Sequence, residues 1–209
     1  MDYVALCQNI QDICENTFTA AQLAMFTEQA EQKIYNSVQI PALRKNITSA
    51  FTPSTQYVTA PADFLYAYSL AVVDGAGKYN YLLNKDVNFI RESFPTPAAT
   101  GLPKYYAYFN DTSFIVGPTP DAAYVTELNY GYYPQSIVTA GTTWLGNEFD
   151  SALLNGALIE AIRFMKGEQD MVQLYQTLYV QAIGLLKNLG DGKLRQDAYR
   201  SGQFREKVG

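Results

Sequence analysis

Histidine is absent from all 209 residues of the chain. Its absence removes the one side chain that ordinarily titrates near neutrality, and with it Ser-His-Asp and Cys-His catalysis, histidine proton shuttles and histidine-bound metals. Cysteine is nearly as scarce. Cys7 and Cys14 fall on one expected helix, two turns or roughly 10 Å apart, beyond the reach of a disulfide. They read as core thiols of a protein made in a reducing cytoplasm, and two thiols do not complete a zinc site. No run of about 18 apolar residues occurs, and the opening MDYVALCQNI lacks signal-peptide features, so nothing directs the chain into a membrane. Gly75-Ala-Gly77 lies in a turn between strands rather than opening a helix, which excludes it as a phosphate loop. No cofactor and no metal are expected.

What is present is enough apolar residue, 48%, to fill a core, arranged in two different periods. Tyr3, Leu6, Cys7, Ile10, Ile13 and Cys14 share one face of a first helix. Thr19-Ala-Ala-Gln22 is a capping box that starts a second, with Phe18 and Leu23 placed for a hydrophobic staple. Its apolar stripe is Leu23, Phe26, Ala30, Ile34 and Val38, and Pro41 should end it.

From Ile47 to Ile137 the period becomes two. Strands are predicted at 47–52, 56–60, 66–74, 78–83, 104–109, 112–116 and 123–132. Turn signals separate them at Asp74-Gly75, Asn84, Asn110-Asp111 and 118–121, and a short helix is expected within 86–94. Residues 96–102 look like an exposed loop. The helical period then returns. Leu154, Ala157, Leu158, Ala161, Ile162 and Met165 form one stripe, and Met171, Leu174, Tyr175, Leu178, Ala182, Leu185 and Leu189 form another. Gly190 and Gly192 are expected to break this last helix.

Each terminal hairpin has one apolar face to bury, and the two hide them best against each other. The predicted class is α+β: an antiparallel bundle of two N-terminal and two C-terminal helices with an inserted antiparallel β-rich subdomain. The expected divisions are 1–46 and 139–192 for the helical hairpins, 47–138 for the insertion and 193–209 for an extended arm.

Charge follows these divisions. Lys+Arg 15 against Asp+Glu 20 gives −5, yet the arm carries five basic residues (Lys193, Arg195, Arg200, Arg205, Lys207) and two acidic ones (Asp197, Glu206). The body before it is therefore at −8. Such a body repels nucleic acid, whereas the arm suits an acidic partner.

Carboxylates are the remaining route to catalysis, and Glu127 with Asp121 or Asp111 is the candidate pair for a glycosidase. Asp111 and Asp121 stand at turns, however, where they cap backbone groups, and Glu127 falls on the polar side of an alternating strand. The stronger signal is aromatic. Tyrosine occurs 17 times and crowds into 57–133. Tyr105, Tyr106, Tyr108 and Tyr130, Tyr132, Tyr133 include neighbours that must point to opposite faces, which marks them as candidate surface for a protein–protein contact. Aromatic strands also suit a carbohydrate-binding or host-recognition module, which stays open as an alternative.

Leu102-Pro103-Lys-Tyr105-Tyr, Phe114-Ile-Val-Gly-Pro118-Thr-Pro120-Asp121-Ala-Ala-Tyr124, Leu128-Asn-Tyr130-Gly-Tyr132-Tyr133-Pro134, Thr143-Trp144-Leu145 and Leu153-Leu154-Asn-Gly156-Ala157-Leu158 together resemble tailed-phage head-to-tail adaptors. These connector or neck proteins include the tail tubular protein A type. Pro61-Ala-Asp63-Phe64 fits the same pattern. The resemblance implies a non-enzymatic virion protein, a homo-oligomeric ring of typically about twelve copies closed by a heterologous contact. It would join the portal to a tail or nozzle protein and leave a channel through which DNA passes unbound during ejection. It also implies a portal-docking role for the arm, where Arg200 and Arg205 would meet carboxylates, and Tyr199 and Phe204 apolar pockets, beside Lys193, Arg195 and Lys207.

Overall fold

The computed structural model describes residues 1–194. In chain order its elements are α1 (Tyr3–Cys14), α2 (Ala20–Ser37), β1 (Arg44–Ala50), β2 (Tyr57–Thr59), β3 (Tyr66–Val73), β4 (Tyr79–Tyr81), β5 (Leu83–Asn84), α3 (Val87–Ser93), β6 (Tyr105–Asn110), β7 (Ser113–Gly117), β8 (Val125–Gly131), α4 (Ile137–Ala140), α5 (Trp144–Glu148), α6 (Asp150–Phe164) and α7 (Gln169–Leu194). The class is α+β. The chain forms two compact units, one from residues 1–41 with 134 onward and one from Ala42–Tyr133.

In the helical unit the Asp2 carboxylate accepts from the Ala5 amide at 2.8 Å and starts α1. The capping box forms as expected: Thr19 N donates to Gln22 Oε1 at 2.9 Å and Gln22 N to Thr19 Oγ1 at 3.3 Å. All five residues of the α2 stripe are buried. α6 carries buried residues around most of its circumference, among them Ala152, Leu153, Leu158, Ile159 and Ile162, the composition of a helix enclosed by others. It packs against α1, α2 and α7. Gly156 permits this crowding, since a Cβ there would lie 3.1 Å from Ala30 and 3.2 Å from the Tyr179 ring. Phe26 meets Phe18 and Phe164 edge-on, with centroids 5.3 and 5.4 Å away.

Two features of this unit differ from expectation. The short helices α4 and α5 escape the search for long apolar periods and are set by their caps, Ser136 (Val138 N to Ser136 Oγ, 3.2 Å) and Thr143 (Gly146 N to Thr143 Oγ1, 3.3 Å). The glycines do not break the last helix: α7 continues through Gly190 and Gly192. Gly190 instead allows a close approach, because a Cβ there would stand 2.5 Å from Ile40 Cγ2 and 2.8 Å from the Gln39 carbonyl.

Glu31 is buried on α2 and accepts from the Ile137 amide at 2.9 Å, serving the open end of α4. Burial pushes its carboxyl above the usual range, while hydrogen bonds from Ser136 and Ile137 pull it back. The folded state thus holds this proton more tightly than the unfolded one. Its stabilising contribution is full below the ordinary carboxylate pKa and is lost as pH rises through the folded value. Glu31→Gln keeps an acceptor for Ile137 without a buried charge. Its melting temperature should exceed the wild type's by a few degrees at pH 7.5 and match it near pH 4. A difference independent of pH would contradict this.

The second unit is a sandwich of two four-stranded sheets, ordered β1-β8-β3-β4 and β2-β7-β6-β5. Pairing is antiparallel except between β5 and β6. Leu70, Val72, Tyr106, Phe114, Val116, Leu128 and Tyr130 belong to the core. α3 lies against β6 and β7 and buries Ile90 with Ala107 and Ile115. β7 is therefore covered on both faces and reads as an unbroken apolar run. The β6–β7 hairpin closes as predicted, Asn110 Oδ1 accepting from Thr112 N at 2.9 Å and Ser113 Oγ at 2.8 Å. Asp74 serves the β3–β4 turn in the same way, accepting from Ala76 N and Lys78 N at 3.0 Å each, with Gly77 at φ +80°.

Candidate interaction surfaces

The carboxylates singled out for catalysis do not share a site on the sheets. Glu127 lies on the outer face of the β1-β8-β3-β4 sheet. Its two oxygens accept from Asn46 Nδ2 on β1 (3.1 Å) and Tyr79 Oη on β4 (3.3 Å), bracing three strands. No other strand position on that face carries a carboxylate. Asp121 accepts from the Tyr124 hydroxyl at 2.7 Å in the loop before β8, and Asp111 sits at the hairpin tip of the opposite sheet. Glycoside hydrolysis requires two facing carboxyls, which this layout does not supply. Among the described residues no group of three or more Cys, Asp or Glu could hold a metal ion. Cys7 and Cys14 are free and half-buried, and burial raises both thiols above their ordinary range. In the helical unit Glu160 is paired with Lys33 and, at 3.6 Å, with Arg163, beside a cleft of about 250 Å³. Two cations on one carboxylate form a structural pairing rather than an acid–base couple.

The tyrosines predicted as surface divide into three groups. Tyr106 and Tyr130 belong to the sandwich core, 4% and 1% exposed. The Tyr130 hydroxyl donates to Asp63 Oδ1 at 2.8 Å, and Lys45 Nζ donates to Asp63 Oδ2 at 2.7 Å. This pairing, chiefly the lysine bond, holds the Asp63 carboxyl below its usual range. Tyr105 points the other way, as alternation requires, but α3 covers it, with Phe89 and Phe94 centroids at 5.3 and 6.3 Å. Tyr132 is half-buried beneath Lys45, whose Nζ lies 5.1 Å above its ring. Only Tyr108 and Tyr133 are exposed, and the Tyr108 hydroxyl already accepts from Ala67 N at 2.9 Å.

The aromatic surface lies elsewhere in the same unit. Tyr66, Tyr68, Tyr79 and Tyr81 share the outer face with Glu127, Asn46, Asn129 and Thr48. Tyr81 is 65% exposed. Tyr66 lies on Gly131, where a Cβ would come within 2.6 Å of the ring. The hydroxyls of Tyr66 and Tyr68 are 3.0 Å apart, and Arg44 stacks over Tyr68 at 4.1 Å. Tyr79 and Tyr81 have the same strand parity, a signal available in the sequence that the clusters at 105–108 and 130–133 overshadowed.

In the helical unit the exposed surface is on α7, where the expected core stripe is only partly buried. Of its residues Ala182 faces inward and Tyr175 is half-buried, but Met171, Leu174, Leu178, Leu185 and Leu189 are exposed, Leu185 at 67%, and Ile183 and Leu186, outside the stripe, are buried instead. Of the basic arm, Lys193 is an exposed residue of the last turn of α7. Arg195, Tyr199, Arg200, Phe204, Arg205 and Lys207 lie outside the described residues.

Among the described residues these are broad apolar and aromatic surfaces, of the kind that serve contact with other proteins. Comparison with known families agrees: residues 1–205 match the family described as SU10 adaptor protein. The chain belongs to the SU10 adaptor family. Among curated proteins it has no significant match. Membership agrees with the resemblance to phage head-to-tail adaptors and gives the chain a structural role as an adaptor of the phage particle. No helix among the described residues is long and apolar enough to cross a membrane.

Proposed function

We propose that this SU10 adaptor joins portal to tail: about twelve copies close into a ring beneath the portal through a heterologous contact, and the ring surrounds a channel for the genome. The observation that carries this reading is the family match across residues 1–205. The two terminal helix pairs form the structural bundle of each subunit. The basic arm, 193–209, enters an acidic portal surface, with Arg200 and Arg205 on carboxylates and Tyr199 and Phe204 in apolar pockets. The tyrosine face of the β1-β8-β3-β4 sheet receives the tail or nozzle protein, since Tyr66, Tyr79 and Tyr81 offer large contact area at small entropic cost. The acidic body lets DNA slide past without releasing counterions.

Removing 195–209 leaves the described part of α7 in place and is expected to abolish co-sedimentation with the portal while leaving the melting temperature unchanged. Undiminished portal binding would contradict the docking role of the arm. Tyr66 and Tyr81 beside Asn46 and Glu127 also have the make-up of a glycan platform. Saturable glycan binding by an isolated subunit that ignores the portal would favour that second reading.

A further inference from the structure

Of the four strands that end the two sheets, three are short. β2 and β4 have three residues each and β5 has two, and shortness is one way in which natural sheets keep an open edge from recruiting a further strand. β1 is the exception, with seven residues from Arg44 to Ala50. Two bonds flank it and fix which of its groups are used: Tyr132 N donates to Leu43 O at 3.1 Å, and Phe51 N donates to Tyr124 O at 2.9 Å. The register between them is unbroken. Lys45, Ile47 and Ser49 therefore bond to β8, and Arg44, Asn46, Thr48 and Ala50 turn their N–H and C=O groups away from the sheet. From Asn46 to Ala50 no charge, no proline and no bulge guards this edge.

The side chains beside it are equally open. Ile47 is 40% exposed on the inner face. With Ser49 it lines one wall of the cleft of about 160 Å³ whose other wall includes Val58 of β2, and Leu70, Phe114 and Leu128 form its floor. The two edge strands thus stand on either side of one opening into the sandwich core. A cavity of about 150 Å³ accepts a group the size of benzene. Free backbone groups at every second residue above an apolar slot are matched by an extended polypeptide, which fills both the hydrogen bonds and the slot. Charge narrows the choice. Arg44 stacks on Tyr68, forms no ion pair among the described residues and leaves its Nε without a hydrogen bond, and Lys45 adjoins it. The basic arm of a second copy would bring like charge to this end, and β2, β4 and β5 of a second copy are too short to cover seven residues. We infer that β1 is extended by a strand of the tail or nozzle protein, which sets a leucine- or phenylalanine-sized residue in the slot beside Ile47 and a carboxylate at Arg44. This inference rests on the reading that the outer face of the same sheet receives that protein, and it names the form in which the partner arrives.

Hydrogen exchange read at single residues tests it in the isolated full-length chain, in its complex with the portal, and in the particle that also carries the tail protein. Strand addition leaves an alternating signature. The amides of Asn46, Thr48 and Ala50 should exchange freely in the first two and be slowed at least about tenfold in the third, whereas those of Lys45, Ile47 and Ser49 are slow in all three. Thr48→Pro removes an outward N–H without touching the β8 pairing. It is expected to weaken tail binding about tenfold or more, with portal binding and melting temperature those of the wild type. Thr48→Val keeps the amide and should bind the tail protein as the wild type does. Unchanged exchange at 46, 48 and 50 in the particle, or a folded Thr48→Pro chain that binds the tail protein undiminished, overturns the added strand and leaves docking on the tyrosine face standing. Protection of these amides in a dimer of the isolated chain assigns the edge to a second copy and overturns the tail protein as its occupant. A wild-type ring that binds no tail protein overturns that reading and this inference together.

Discussion

Replacing Phe26 by alanine is expected to cost about 3–5 kcal/mol of folding stability, the range for a buried phenylalanine whose space does not refill. Phe26 is fully buried, and its ring is held edge-on by Phe18 from before the α2 cap and by Phe164 at the end of α6. Removing it withdraws the common partner of two segments 146 residues apart (164 − 18). Domains of this kind have only about 5–15 kcal/mol in total. The denaturant midpoint should therefore fall sharply with the slope unchanged, and a fall equivalent to less than about 1 kcal/mol would contradict the packing described. Phe26→Leu, which keeps most of the volume, should recover much of the loss.

Phe114→Ala is the counterpart in the sandwich, with a similar expected loss of about 3–5 kcal/mol. Phe114 is 2% exposed, and its ring meets those of Phe64, Tyr108 and Tyr106 at 5.1, 5.6 and 5.9 Å. It lies on β7, an interior strand of its sheet, next to a gap of about 160 Å³ lined mainly by apolar residues, among them Ile47, Val58, Leu70 and Leu128, with Ser49, Thr59 and Thr126. With an opening already there, the truncated site has little chance to collapse. Near-UV circular dichroism of the tyrosines should lose intensity together with stability. Tyr81→Ala on the exposed outer face is the matched control and should leave stability within about 0.5 kcal/mol of the wild type.

Local signals carried the elements. The Thr19–Gln22 box, the Asn110 turn and the alternation through β6, β7 and β8 are written within a few residues of where they act, and each falls where periodicity and turn chemistry put it. The α+β class follows from the same evidence. Faces were harder to read, because burial depends on what arrives from elsewhere in the chain. α7 has two apolar lines, and the richer one in leucine is exposed because α6 meets the other. Tyr105 and Tyr106 do diverge as alternation requires, but no pattern in their own strand announces that α3 covers one side and the opposite sheet the other. Gly190 was misread for the same reason: a glycine inside a helix looks like a stop until the 39–40 segment is seen packed against it. The exposed tyrosines at 66, 79 and 81 were legible as strand residues, but not as the outer face of a sheet whose order, β1-β8-β3-β4, brings distant strands together.

The proposed function rests on one claim, that this SU10 adaptor acts by forming a closed ring of its own copies on the portal. Native mass spectrometry of the full-length chain bound to the portal ring tests it most directly. The account predicts a single adaptor stoichiometry, about twelve copies per portal ring, appearing without partly filled rings once assembly is cooperative. A graded ladder of independently bound single copies, or no bound adaptor at all, would contradict it.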